Sequence, residues 1–122
     1  MVRPDDITRL KHILDAVEKA GHFVAGRSRP DLDADEMLSL ALVRLLEVIG
    51  EGASGVSPEL RQRYPHIPWQ QMAGMRNRLI HGYFDVNPDL IWETVRKELP
   101  LLVGRIRNIL KKEAERLGGG RS

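Results

Sequence analysis

Three observations predict an all-α protein, an antiparallel bundle of about four to five helices. Apolar residues recur at spacings of three and four in separate stretches of the chain. Asp, Ser and Asn followed closely by Pro or an acid mark helix starts. No period-two alternation is long enough to build a sheet.

The first helix is predicted from Asp5 to about Val24, with Ile7, Leu10, Ile13 or Leu14, Val17 and Val24 in one stripe. Gly26, Ser28 and Pro30 break it. Asp33 then reads as an N-cap with Glu36 as its capping-box partner, opening a second helix from about Ala34 to Glu51. That helix carries Met37, Leu38, Ala41, Leu42, Leu45, Val48 and Ile49, the strongest core set in the chain. Gly50, Gly52, Ser54 and Gly55 read as a flexible joint. Ser57-Pro58-Glu59 starts a short helix, and Pro65 and Pro68 bound an ordered connector.

A third long helix is expected from Pro68, with Trp69, Met72, Met75 and Leu79 in a row and Gly82 as a left-handed cap. Tyr83-Phe84-Asp85-Val86 reads as loop, and Asn87-Pro88-Asp89 opens the next helix with Leu90, Ile91, Trp92 and Val95. Pro100 should kink or split this helix, and Leu101, Leu102, Ile106, Ile109 and Leu110 carry the stripe to about Leu117. Residues 1–117 thus form one domain, and the tail 118–122 is expected to be disordered.

The chain has 122 residues, enough for one core without disulfides or metals. It contains no Cys, which excludes thiolate catalysis, a disulfide framework and Cys-ligated zinc. No HExxH pattern, carboxylate–His cluster or glycine-rich phosphate loop is present, so neither a metal nor a cofactor is expected. The N-terminus lacks an apolar secretory core, and the longest apolar run, Leu38 to Ile49, is interrupted by Arg44 and Glu47. It falls short of the ~18 residues a membrane span needs, so a cytoplasmic protein without a membrane partner is expected. The net charge of +2 neither demands nor forbids nucleic acid. Local clusters at Arg61, Arg63, Arg76, Arg78 and at Arg105, Arg107, Lys111, Lys112 could hold a phosphate backbone or could be solvated surface.

The stretch Met75 to Val86, MRNRLIHGYFDV, carries the most chemistry. A guanidinium such as that of Arg76 is always charged and grips phosphate with two donors. An imidazole such as that of His81 changes protonation near neutral pH and moves protons. Together they suffice to cleave RNA, whose ribose 2′-hydroxyl supplies the nucleophile. On a regular helix, five residues set the two side chains about 140° apart. They converge only if His81 lies where the helix ends or if two copies combine their sites.

These residues resemble a known family. Trp69, the run Gly74-Met75-Arg76-Asn77, the run His81-Gly82-Tyr83-Phe84, Val86, Trp92 and the Leu99-Pro100 step are similar to the HepT-like branch of the HEPN superfamily, whose signature is Arg-x4-His-x-Tyr. The likeness spans nearly the whole chain. It implies an all-α homodimer with the signature residues lining a cleft between protomers. It further implies a metal-independent ribonuclease, the toxin of a toxin–antitoxin pair, restrained by a minimal nucleotidyltransferase that transfers AMP to the signature Tyr. By that resemblance Arg76 and His81 are catalytic, Tyr83 is the modified residue, and Asn77 is the supporting polar residue after the Arg. An adenylyl group at Tyr83 would place bulk and negative charge two residues from His81, where an RNA phosphate must sit. Gly82 suits an exposed Tyr hydroxyl by removing side-chain crowding.

Each residue also has a plainer reading. Arg76 could be a surface charge or a helix-dipole partner, His81 a cap, and Tyr83 a packed ring with a bonded hydroxyl. Asp85 could orient His81 or cap the following helix. His12 and His22 form no ligand pair, and His66 suits a loop or surface role. Trp69 and Trp92 occupy apolar helical positions that suit a core or dimer interface. The alternatives to a nuclease are a non-catalytic module that binds RNA or a nucleotidyltransferase, and a plain dimerisation domain.

Overall fold

The structure, a computed structural model, describes residues 4–75, 77, 80–81 and 85–119, with side chains at 5–75, 77 and 87–118. Helix α1 spans Pro4–Val24, α2 Arg29–Ala34, α3 Glu36–Gly55, α4 Pro58–Arg63 and α5 Trp69–Ala73. Two short strands follow, β1 Ile80–His81 and β2 Asp85–Val86. From Pro88 the chain stays helical: α6 is Pro88–Glu93, a π-helical stretch covers Thr94–Glu98, and α7 is Leu99–Gly119. The fold is the all-α bundle that periodicity predicts, with one small β ladder added.

α1 lies antiparallel to both α3 and α7. Arg9 and Ile13, early in α1, meet Gly55 and Gly52 late in α3. Phe23, late in α1, shares a shallow cleft with Met37 and Leu38 early in α3. Glu18 of α1 accepts from Arg107 of α7 at 3.1 Å. The core runs through these helices, with Leu10, Ile13, Leu42, Leu46, Ile49, Ile106 and Ile109 fully buried. Each such side chain stabilises the fold by about 1.5–3 kcal/mol relative to exposure.

The glycines of α3 correct one expectation. Gly50, Gly52 and Gly55 form no joint, because α3 continues through them. They are notches. A Cβ on Gly52 would lie 2.7 Å from Ile13 Cγ1, and one on Gly50 would lie 3.1 Å from the Met72 carbonyl oxygen. A Cβ on Gly55 would run into the Arg9 guanidinium. Bare backbone here lets α1 and α5 close onto α3, and that packing outweighs the low helix propensity of Gly.

The start of α3 is also corrected. Asp33 lies inside α2, where it pairs with Arg29 at 3.0 Å, and the N-cap is Asp35. Ser28, Pro30 and Asp31 open a short helix that uses residues 29–34, so the break falls later. Asp35 accepts from the Leu38 N–H at 3.1 Å and from Arg27 at 3.2 Å. Those bonds hold its carboxyl below the ordinary aspartate value, the Leu38 N–H most of all. Met37, expected in the core, is 81% exposed, while Leu46, absent from the predicted set, is fully buried. The buried row runs Leu38, Leu42, Leu46, Ile49, Ala53, and Met37 falls on the outer face.

Ser57 caps α4 as predicted, accepting from the Leu60 N–H. It has a second role. The buried Asp6 carboxylate accepts from Ser57 N at 2.8 Å and from Ser57 Oγ at 2.6 Å, tying the first turn of α1 to the start of α4. α4 in turn reaches α7 through the buried Glu113, which accepts from Arg63 at 2.8 Å and from the Tyr64 hydroxyl at 3.0 Å. Burial, then this bond to Glu113, pushes the Tyr64 hydroxyl above the ordinary tyrosine value.

Near Pro100 the last helical segment divides in two, α6 and α7, with the π turn between them. Pro100 sits at the second position of α7, directly after the π turn, where Leu99 N–H bonds Thr94 O. A proline lacks its own N–H and crowds the carbonyl four residues back. The wider turn accommodates both. Buried positions run Ile91, Thr94, Val95 and Leu99 through it, before alternating threes and fours at Leu102, Ile106, Ile109 and Glu113. That leaves Leu101, expected in the stripe, 63% exposed, and Leu117 is exposed as well. α7 runs through Gly118 and Gly119 of the expected tail, and residues 120–122 lie outside the described residues.

Candidate functional site

The signature stretch follows α5. Its apolar row is partly as predicted, with Trp69, Met72 and Met75 buried. Trp69 is a core residue whose Nε1 donates to the Tyr64 carbonyl at 2.9 Å. The helix itself is shorter than expected. Gly74 turns the chain, donating to Gln70 O at 2.9 Å, and Met75 and Asn77 are helical again. By Ile80 the backbone is extended. Ile80 pairs with Val86 and His81 with Asp85 in an antiparallel register, so Asp85 and Val86 are strand rather than loop. Two rungs are too short to leave an alternating pattern in the sequence.

The consequence for His81 is specific. Its backbone belongs to β1, so the helical phase that would separate it from Arg76 by about 140° does not extend to it. Asn77 is exposed. Arg76 and Tyr83 lie outside the described residues, as do Arg78, Leu79, Gly82 and Phe84. Of the two roles weighed for Asp85, the cap belongs elsewhere: Asn87 caps α6, its side chain accepting from Leu90 N at 3.1 Å.

The basic clusters divide into committed and uncommitted members. Arg61 donates to Ala53 O at 2.6 Å and Val56 O at 3.1 Å, satisfying carbonyls at the end of α3. Arg63 is bound to Glu113, and Arg107 to Glu18. Arg105, Lys111 and Lys112 are exposed and have no ion-pair partner among the described residues. Local spacing carries no sign of this division, because the partners of Arg63 and Arg107 lie far away along the chain. Trp92 is half-buried, with the Arg96 guanidinium 5.6 Å from its ring centroid. His12, His22 and His66 are exposed, and the His66 ring stands edge-on to Tyr64.

A groove opens between α5 and α7. Met72, Met75, Leu99 and Leu102 form its apolar walls, and Gln71, Glu98 and Arg105 stand at its rim. Its volume is about 130 Å³. Met75 is the residue that precedes Arg76 in the chain. No helix among the described residues is long and apolar enough to cross a membrane.

Comparison with known proteins agrees with the signature. A family model described as ribonuclease HepT-like matches residues 13–109. A protein of Caldanaerobacter subterraneus subsp. tengcongensis, provisionally named an RNase, is 44% identical over 104 residues, covering 85% of this chain and 93% of its own. A protein of Thermococcus cleftensis named probable ribonuclease HepT is 34% identical over 102 residues, covering 84% of this chain and 93% of its own. A further provisionally named RNase, from Methanocaldococcus jannaschii, is 35% identical over 102 residues, covering 84% of each chain. No solved structure matches.

Proposed function

The chain belongs to the ribonuclease HepT-like family, and from that premise we propose that it is a metal-independent endoribonuclease with Arg76 and His81 as its catalytic pair. The observation that carries this reading is the run Arg76-x4-His81-x-Tyr83 within the matched residues 13–109. The extended backbone at His81 supports it, since a helix that has ended no longer fixes His81 away from Arg76.

In the proposed reaction the ribose 2′-oxygen bonds to phosphorus and the bond to the 5′-oxygen breaks. His81 takes the proton of the 2′-hydroxyl and returns a proton to the departing 5′-oxygen. Arg76 binds the non-bridging oxygens and stabilises the charge that builds on them. The products are a 2′,3′-cyclic phosphate and a 5′-hydroxyl. Asn77, exposed beside Arg76, supports the phosphate site. Two copies share the site as a homodimer. The enzyme is the toxin of a pair, and a minimal nucleotidyltransferase antitoxin silences it by adenylylating Tyr83. AMP there adds bulk and a negative charge that repels the incoming phosphodiester.

The test is direct. Purified protein should cleave RNA in EDTA and leave 2′,3′-cyclic ends. Arg76→Ala and His81→Ala should each lower the rate by about 10²-fold or more with unchanged thermal melting. Full activity in both variants would overturn the assignment. After co-expression with the antitoxin, intact mass should report AMP on the wild type and none on Tyr83→Phe.

A further inference from the structure

The groove between α5 and α7 joins an apolar slot to three polar groups that the fold leaves unused. Met72 and Met75 are buried in its walls, and about 130 Å³ of space remains over them. Gln71, Glu98 and Arg105 line the same groove and are exposed. None of the three has a side-chain hydrogen bond or ion pair among the described residues. Glu98 closes the π turn, and Arg105 lies seven residues on, two helical turns along the same face. Leu101 falls midway between them and also lines the groove, with 63% of it in solvent.

Such a slot suits a flat aromatic ring. Methionine thioethers are polarizable and pack well against aromatic rings, and Leu101 is free to cover the ring from outside. The polar groups give the slot a direction. A carboxylate repels phosphate, and a guanidinium grips it. Seven residues of helix set the two about 10 Å apart along the axis, comparable to one nucleotide from the pairing edge of its base to its phosphate. A nucleotide therefore enters one way, with its base edge on Glu98 and its phosphate on Arg105. An ionised carboxylate only accepts hydrogen bonds. Among the four RNA bases, guanine alone offers it two adjacent donors, N1–H and the N2 amino group. Adenine and cytosine set one amino donor beside a bare ring nitrogen, and uracil flanks its single N–H with carbonyls. Gln71 adds an amide donor suited to the guanine O6, and unpaired RNA bases are read on these edges. We infer that the α5–α7 groove is a guanosine subsite for RNA, in which Glu98 reads the base and Arg105 holds its phosphate. The inference deepens the ribonuclease reading and rests on it. Met75, in the groove wall, directly precedes Arg76 in the chain, which makes the bound guanosine a neighbour of the cleaved bond.

The first measurement is binding, read on the full chain with carbon-13-labelled methionine methyls. Guanosine monophosphate should shift the Met72 and Met75 signals and leave that of Met37, exposed on α3, in place. The adenosine, cytidine and uridine monophosphates should bind about tenfold more weakly. Glu98→Gln should lower the affinity for guanosine monophosphate about tenfold, to the level of the others. Arg105→Gln should weaken all four, and both variants should melt as the wild type does. Unmoved Met72 and Met75 signals overturn the proposal. So does equal affinity for the four nucleotides, or a guanine preference that survives Glu98→Gln. Signals that respond to protein dilution instead of nucleotide would assign the groove to a protein contact and overturn it too. The second measurement maps the cuts in a single-stranded RNA of mixed sequence. The wild type should cut beside guanosine, and Glu98→Gln should spread the cuts over all four nucleotides. Selective binding of the mononucleotide with cuts indifferent to sequence would make a free guanine nucleotide the ligand, and overturns the RNA subsite. A chain that cuts no RNA sinks the ribonuclease reading, while the methyl shifts decide separately what the groove holds.

Discussion

The α1–α3 seam and the α5–α7 groove use the same kinds of side chain to opposite ends. In the seam, Ile13 rests against the bare backbone of Gly52, Leu42, Leu46 and Ile49 are sealed, and Asp6 is bound by Ser57. These side chains are covered by partners within the chain. In the groove, Met72, Met75 and Leu102 are equally apolar, yet a gap remains over them and Leu101 stands in solvent. The first region is finished as a monomer. The second becomes comparably closed only when something is laid on it. A small bundle can close one side from within its own chain and leave an apolar groove open on the other.

That contrast can be broken by truncation. Leu46→Ala on the seam should lower stability by about 2–5 kcal/mol, read from the denaturant midpoint, since the walls of a filled core collapse poorly. Gly52→Ala should lower it by about 1–3 kcal/mol, because the new methyl meets Ile13 and overpacks the joint. If the glycine is merely a hinge, Gly52→Ala should stabilise α3 instead. A smaller, pH-dependent effect belongs to Tyr64, whose hydroxyl donates to the buried Glu113. The folded-state value of Tyr64 is raised, so its contribution is complete below the unfolded value of about 10 and is lost as pH rises through the folded value. Tyr64→Phe should flatten the alkaline fall in melting temperature relative to the wild type. The smallest change sharpens the comparison most. Leu101→Ser should alter folding stability by less than about 0.5 kcal/mol while weakening the binding of guanosine monophosphate. A loss as large as that of Leu46→Ala would mean that Leu101 already has a partner within its own chain.

Much of the fold was legible in the pattern of apolar residues and caps. The α1 stripe, the caps at Ser57 and Asn87, and the core role of Trp69 follow from local spacing, because each depends on neighbours a few residues away. The misses depend on distant partners. Gly50 and Gly52 look like a break until α5 and α1 are seen to approach them. Arg61 and Arg63 look like a phosphate patch until the end of α3 and the distant Glu113 claim them. The β1–β2 ladder is too brief to mark the sequence. The candidate site was legible in another sense. Arg76, His81 and Tyr83 stand out by residue type and spacing, whereas the groove between α5 and α7 is assembled from two helices and has no local signal.

The π turn at Thr94–Glu98 has a consequence for how this family varies in length. A turn of that kind holds one residue more than its α counterpart, so it behaves as an insertion absorbed within a single coil of backbone. Relatives that lack a proline at the position of Pro100 should do without it and align here with a one-residue gap. Leu102, Ile106 and Ile109 would keep their inward heading in both versions, because the extra residue is taken up before α7 begins.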